Sequence, residues 1–201
     1  MGIWELAWPA ILSNLLFSII GIVSIKIVGS LGAEAVAAVT TGHRIFFGLQ
    51  AILMAISAGT TALVARAWGA GDRDEAARVT SVSLWISNGV AVLLMLPCIF
   101  FAYEIAGVFG LDENPTRLAG EFIQYLSAFN IAFSINMILA AALRAAGDTK
   151  TPLWIGIITN LVTVVLVYLL VHGLYGFPEL GVVGAAIANG ISFVIGGLIF
   201  L

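Results

Sequence analysis

Long apolar runs separated by short polar interruptions make up the whole of this sequence. Six runs can be counted, at about residues 6–28, 35–67, 77–102, 115–143, 152–174 and 180–201. Each reaches the ~20 residues that a helix needs to cross ~30 Å of hydrocarbon. The alternation of tilted barrel strands is absent. The pattern predicts an all-α polytopic membrane protein, with six transmembrane helices forming one lobe over residues 1–201. The second run would be about 50 Å long as one straight helix, which predicts strong tilt or a projection beyond the bilayer. Pro97 removes a backbone hydrogen bond inside the third run and predicts a bend there.

The interruptions read as helix stops and starts. In Leu143-Arg144-Ala145-Ala146-Gly147-Asp148-Thr149-Lys150-Thr151-Pro152, Gly147 suits the left-handed residue that ends a helix. Thr151 with Pro152 predicts the cap and first turn of the next one. The stretch Arg66 to Glu75 repeats the theme, with Gly69-Ala70-Gly71 as a helix stop. Asn114-Pro115 predicts the start of the fourth run. Basic residues gather in the turns after the second and fourth runs: Arg66, Arg73, Arg78, Arg144 and Lys150. Among the other loops only Arg117 is basic. The positive-inside bias then predicts cytoplasmic turns, cytoplasmic termini and a multi-pass protein of the cell (inner) membrane.

Composition strengthens that reading. The chain is 61% hydrophobic and 9% charged, with mean hydropathy +1.12. A soluble domain carries about 25% charged residues. The net charge of −3 is small and says little about partners; no nucleic-acid partner is expected. The single cysteine, Cys98, permits no intrachain disulfide and reads as a buried thiol. The two histidines, His43 and His172, stand apart, without cysteine or carboxylate at metal-ligand spacing. No glycine-rich loop with Lys-Ser or Lys-Thr is present. The sequence predicts neither an enzyme nor a resident cofactor.

Function is carried by the polar residues inside the runs, because such groups are costly in hydrocarbon unless paired or hydrated. Asn136 lies twelve residues before Asp148, and Asn160 twelve after it. In an antiparallel hairpin both sit about 18 Å from the turn. Thr163 follows on the face of Asn160. This patch reads either as interhelical hydrogen bonding or as the wall of a solvated cavity. Lys26, His43 and Arg44 read either as snorkelling or structurally paired groups, or as a basic lining of an outward-opening cavity. Two rows of small residues, Ala51-Ala55-Gly59 and Gly184-Ala188-Ser192, predict close helix contacts.

Read as motifs, these stretches resemble one family. Leu143 to Pro152 is similar to the loop between helices four and five of the multidrug and toxic compound extrusion (MATE) family. Gly59 to Asp72 resembles its second-helix end, Trp8 to Asn14 and Val28 to Ala35 its first helix and following loop, and Leu180 to Ala188 its sixth-helix start. The resemblance implies twelve helices in two six-helix lobes, exporting small organic compounds against a proton or sodium gradient. This chain would be the N-terminal lobe, completed by a C-terminal lobe or by a second copy of itself. Ser24 and Val167 stand where many members carry aspartates, whereas Asn136 matches the family's polar position in the fourth helix. Together these readings point to Ser24, Gln50, Asn136, Asn160 and Thr163 as polar positions facing a central cavity.

Overall fold

The computed structural model describes residues 3–200, apart from the side chains of residues 3–7, 10 and 17. Position 201, the predicted end of the sixth run, lies outside them. Among the described residues there are nine α-helices and no strand: α1 (Ile3–Gly29), α2 (Ala33–Leu49), α3 (Ala51–Gly69), α4 (Arg73–Phe100), α5 (Ala102–Gly107), α6 (Glu113–Ser127), α7 (Asn130–Ala145), α8 (Lys150–His172) and α9 (Gly181–Phe200).

Two of the six predicted runs are pairs of helices. The second divides at Gln50, whose φ/ψ of −72°/−7° drops one slot from the helical ladder. The flanking bonds survive: Gln50 N–H donates to Phe46 O at 3.0 Å, and Met54 N–H to Gln50 O at 2.9 Å. The fourth divides at Ala128–Phe129, where α6 and α7 meet at 58°. The Phe129 ring lies against Gly190 of α9, in the space that a side chain there would need. Helices α3, α4, α8 and α9, and α1 from Ile11, are each long and apolar enough to cross a membrane, and the bent pair α6–α7 is so only when its two helices are taken together. Pro97 falls in the last turn of α4, so it marks the end of that helix.

Both basic turns use one device. Gly71 (φ 79°) and Gly147 (φ 90°) take the left-handed conformation open to residues without a Cβ. The next amide then reaches back: Asp72 N–H to Ala67 O at 3.0 Å, Asp148 N–H to Leu143 O at 2.9 Å. Those closures match the wider bond of the Schellman motif. The same aspartates cap the following helix. Asp72 Oδ1 accepts from Glu75 N–H at 2.9 Å. Asp148 Oδ1 accepts from the amides of Lys150 and Thr151, and its Oδ2 from the Thr151 hydroxyl at 2.6 Å. The cap is therefore Asp148, not Thr151, because a carboxylate one residue after the glycine reaches both orphan amides. Likewise α6 begins at Glu113, and the Asn114 amide donates to Glu34 instead of capping the helix.

Helix α9 is the centre of the lobe. Half of its apolar window is buried, against 28% for α8. It packs on α8, α6 and α7. A Cβ on Gly184 would stand 2.6 Å from the Leu170 carbonyl oxygen, so α8 and α9 touch backbone to backbone. Of the two small-residue rows, Gly184-Ala188-Ser192 is buried at this contact, whereas Ala51, Ala55 and Gly59 are exposed on α3. Away from α9 the lobe has two levels. Helices α2, α5 and α6 pack together at one end and α3 and α7 at the other, with α4 running past both. Val64, Ala67, Ala76 and Ala142 close the second end, which brings both basic turns there. Glu34, Glu121 and Glu179 gather at the opposite end.

Two outcomes follow. Gly184→Val, which drives a side chain into backbone, lowers stability by about 3 kcal/mol, while Gly89→Val, on the exposed face of α4 with open space at Cβ, leaves the thermal midpoint in detergent nearly unchanged. The second concerns Asp148. The Thr151 hydroxyl and then the Thr151 amide hold its carboxyl below the usual range against an opposing effect of burial, with the Lys150 amide and charge adding to them. A carboxyl depressed by folding stabilises above its unfolded pKa, and that stability is lost as pH falls through the folded value. Asp148→Asn therefore flattens the acid limb of a melting-temperature profile and leaves it lower at neutral pH.

Candidate functional site

The polar positions inside the lobe fall into two groups. The first lies among α1, α8, α9 and α7. Helices α8 and α9 are held in register at the Gly184–Leu170 contact and again where Gly196 meets the Thr159 methyl group. Between these points lie Thr163 on α8 and Ser192 on α9, both buried. The Thr163 hydroxyl donates to Thr159 O at 2.8 Å and the Ser192 hydroxyl to Ala188 O at 2.9 Å. Each hydroxyl thus satisfies its own helix and turns its lone pairs to the interface. Ser24 is buried on α1, which packs on α8. Val167, one turn beyond Thr163, is fully buried with Val28 in the core. These positions hold hydroxyl oxygens and an apolar side chain, and no group there titrates near neutral pH.

Asn136 joins this group from α7. Its amide donates to Ala132 O at 2.7 Å and across to Phe193 O of α9 at 2.5 Å, and its Oδ1 packs against Gly196. Asn136 and Thr159 therefore meet the same glycine from two sides, and they share one depth. The helices bearing them do not form a tight hairpin, because α9 packs on both and they barely touch each other. Asn160 is half-buried on α8, beside Thr159, and makes no side-chain hydrogen bond among the described residues.

The second group sits where the two broken spans meet. Gln50, only 2% exposed, donates from Nε2 to Asn130 Oδ1 at 2.6 Å. Asn130, 1% exposed, donates from Nδ2 to Ala91 O of α4 at 2.9 Å. One amide at each break is thus tied to the other and to a third, continuous helix. The network is not saturated: Gln50 Oε1, Asn88 Oδ1 and Ser134 Oγ are buried without a hydrogen-bond partner. Sequence reasoning placed Gln50 on a cavity wall and did not select Asn130. The available signal was a Gln halfway along an over-long run, and an Asn and Ser four residues apart in the run that faces it.

The basic positions do not come together. Lys26 and Arg44 are exposed on α1 and α2. His43 is half-buried, its ring edge-on to Phe122 at 4.9 Å. At the acidic end of the lobe a depression of about 330 Å³ is lined by Glu34, Asn114, Glu121 and Glu179 among apolar residues, and none of the three basic residues lines it. Arg117 pairs with Glu121 at 2.7 Å. Among the described residues no three His, Cys, Asp or Glu side chains are grouped to hold a metal ion.

Comparison with known proteins gives this arrangement its context. The profile of the MatE family matches residues 9–169. A Thermotoga maritima protein described as a probable multidrug resistance protein NorM is 32% identical over 195 residues, which is 96% of this chain and 41% of that protein. The probable multidrug resistance protein YoeA of Bacillus subtilis is 30% identical over 185 residues, 92% of this chain and 40% of its own length. Among solved structures, MATE in the straight conformation superposes with a TM-score of 0.88 at 25% identity, covering 98% of this chain and 43% of that one. A MOP superfamily transporter from Pyrococcus furiosus gives 0.87 at 25%, with 96% and 42% covered. The chain spans about two-fifths of the length of these relatives, in the manner of a single lobe. With a profile match over most of its length and the fold to go with it, the chain belongs to the MatE family.

Proposed function

We infer that this chain is the N-terminal lobe of a secondary transporter that expels small organic compounds across the cell membrane in exchange for protons or sodium ions. The observation that carries this reading is the coverage. Relatives described as multidrug resistance proteins align along nearly all of the chain, while the chain fills only about 40% of each. A second six-helix lobe supplies the rest, with the transported compound bound between lobes and the two access states biased by ligands, as in other repeat-built transporters. The surface is consistent with such a partner. Helix α4 exposes large side chains suited to lipid, such as Trp85 at 80% and Phe100 at 70%. Helix α3 instead exposes Ala51, Ala55, Ala58, Gly59 and Ala62, a face that permits close helix approach. The end bearing Arg66, Arg73, Arg78, Arg144 and Lys150 faces the cytoplasm on this reading, by the positive-inside bias.

The buried patch at Ser24, Thr163 and Ser192 favours one refinement. It offers neutral oxygens and no carboxylate, and Val167 fills the neighbouring position. Ion coupling then rests on groups outside this lobe, and this lobe contributes to the cavity wall through the half-buried Asn136 and Asn160.

Everted vesicles containing the complete polypeptide test the reading. Ethidium accumulates under an imposed proton or sodium gradient and leaves when the gradients are collapsed. Accumulation indifferent to both gradients would overturn ion-coupled export. In the same vesicles Asn136→Leu lowers uptake at least several-fold with unchanged membrane content, whereas full uptake by that variant removes Asn136 from the cavity wall.

A further inference from the structure

Two of the long apolar runs are interrupted, and their interruptions coincide. Gln50 sits at the interruption between α2 and α3, and Asn130 opens α7 directly after the 58° bend. The hydrogen bond between their side chains fixes both interruptions at one depth. The halves also pair consistently: α2 packs on α6 at one level and α3 on α7 at the other, while no substantial packing joins α2 to α7 or α3 to α6. The two levels are joined through this layer and through α4 and α9, each of which packs on both α6 and α7. The α2–α3 and α6–α7 pairs themselves cross the layer through one residue at Gln50 and two at Ala128–Phe129. Helix α4 passes it unbroken and is tied to it through Ala91 O.

We propose that this layer is a hinge within the lobe, at which the α3–α7 unit changes its angle to the α2–α6 unit, with the Gln50–Asn130 pair as the latch that makes the two breaks move together.

Three features support a moving joint over a mere staple. The break at Gln50 keeps its flanking backbone bonds, so a change of angle there exposes little backbone. The latch is one hydrogen bond wide, and the exchange of one such bond in a membrane interior costs about 1 kcal/mol. The unpartnered acceptors Gln50 Oε1 and Ser134 Oγ lie at or one turn below the latch, so an alternative set of hydrogen bonds is within reach of small displacements. The lever has an anchor as well, since Phe129 is wedged against Gly190 of α9. The hinge is independent of the compound transported and of the coupling ion, and its test needs no transport activity.

The test uses the complete polypeptide in lipid nanodiscs, with Cys98→Ser as background and spin labels on engineered cysteines. One pair spans the hinge (Glu113→Cys with Arg144→Cys), and a reference pair lies within one unit (Arg66→Cys with Arg144→Cys). Each arm is about 23 Å long, so a change of roughly 20° in the bend alters the hinge-spanning separation by about 4 Å. The expected result is a hinge-spanning distance distribution that is broad or two-peaked by that amount, beside a narrow reference distribution. Gln50→Leu broadens the first further and leaves the second alone. The reciprocal swap, Gln50→Asn with Asn130→Gln, keeps one donor–acceptor pair and restores the native distribution. If the unsubstituted hinge-spanning distribution is as narrow as the reference, the joint is rigid and the proposal fails, whatever becomes of the variants. An unchanged distribution in Gln50→Leu likewise removes the latch.

Discussion

Backbone-to-backbone contact at Gly184 is the constraint on which the rest of the lobe depends. In lipid the hydrophobic effect does not drive helices together, so association relies on close packing and a few hydrogen bonds. The approach of Gly184 to the Leu170 carbonyl brings α8 and α9 as near as two helices can come. Leu180 N–H donates to that same carbonyl at 2.9 Å, so the contact also sets where α9 begins. From there α9 accepts the Phe129 ring at Gly190 and the Asn136 amide at Gly196. Three glycines on one helix thus position α8, the α6–α7 bend and α7. The two polar groups of the interior then have little freedom in where they fall.

Those two groups differ in kind. Around Ser24, Thr163 and Ser192 the hydroxyls satisfy their own helices and leave a shallow neutral patch. Around Gln50 and Asn130 the amides reach between helices and leave acceptors unfilled. A filled network stiffens and an unfilled one permits rearrangement. The lobe therefore pairs a tightly packed side, built on α8 and α9, with a looser side built on the broken spans.

The basic turns were the most legible part of the sequence. A glycine followed by an aspartate has one economical use between two helices, and both Gly71-Asp72 and Gly147-Asp148 serve it. Naming Thr151 as the cap misjudged only which side chain reaches first. The breaks were less legible. Gly48 is the one weak helix former beside Gln50, and a lone glycine does not mark an interruption, which is seen only together with Asn130 eighty positions away. The small-residue rows show a related limit. Ala51-Ala55-Gly59 and Gly184-Ala188-Ser192 have the same spacing, yet one is exposed and the other buried, because spacing defines a face but not what it meets. For Asn136 the depth was readable from distance to the turn. Its neighbour was not, since the interposed α9 comes from much later in the chain.

The split of the fourth span also bears on how the chain enters the bilayer. Helix α6 carries Glu113, Arg117, Glu121 and Gln124 within fifteen residues, and α7 alone, at sixteen residues, is too short to cross. Neither half is retained by hydropathy alone. The strongly apolar α8 and α9 follow immediately in the sequence, and the glycine face of α9 is where the bend docks. The bend in the fourth run therefore docks against a helix that comes after it in the sequence, and the sixth run completes the packing of the fourth.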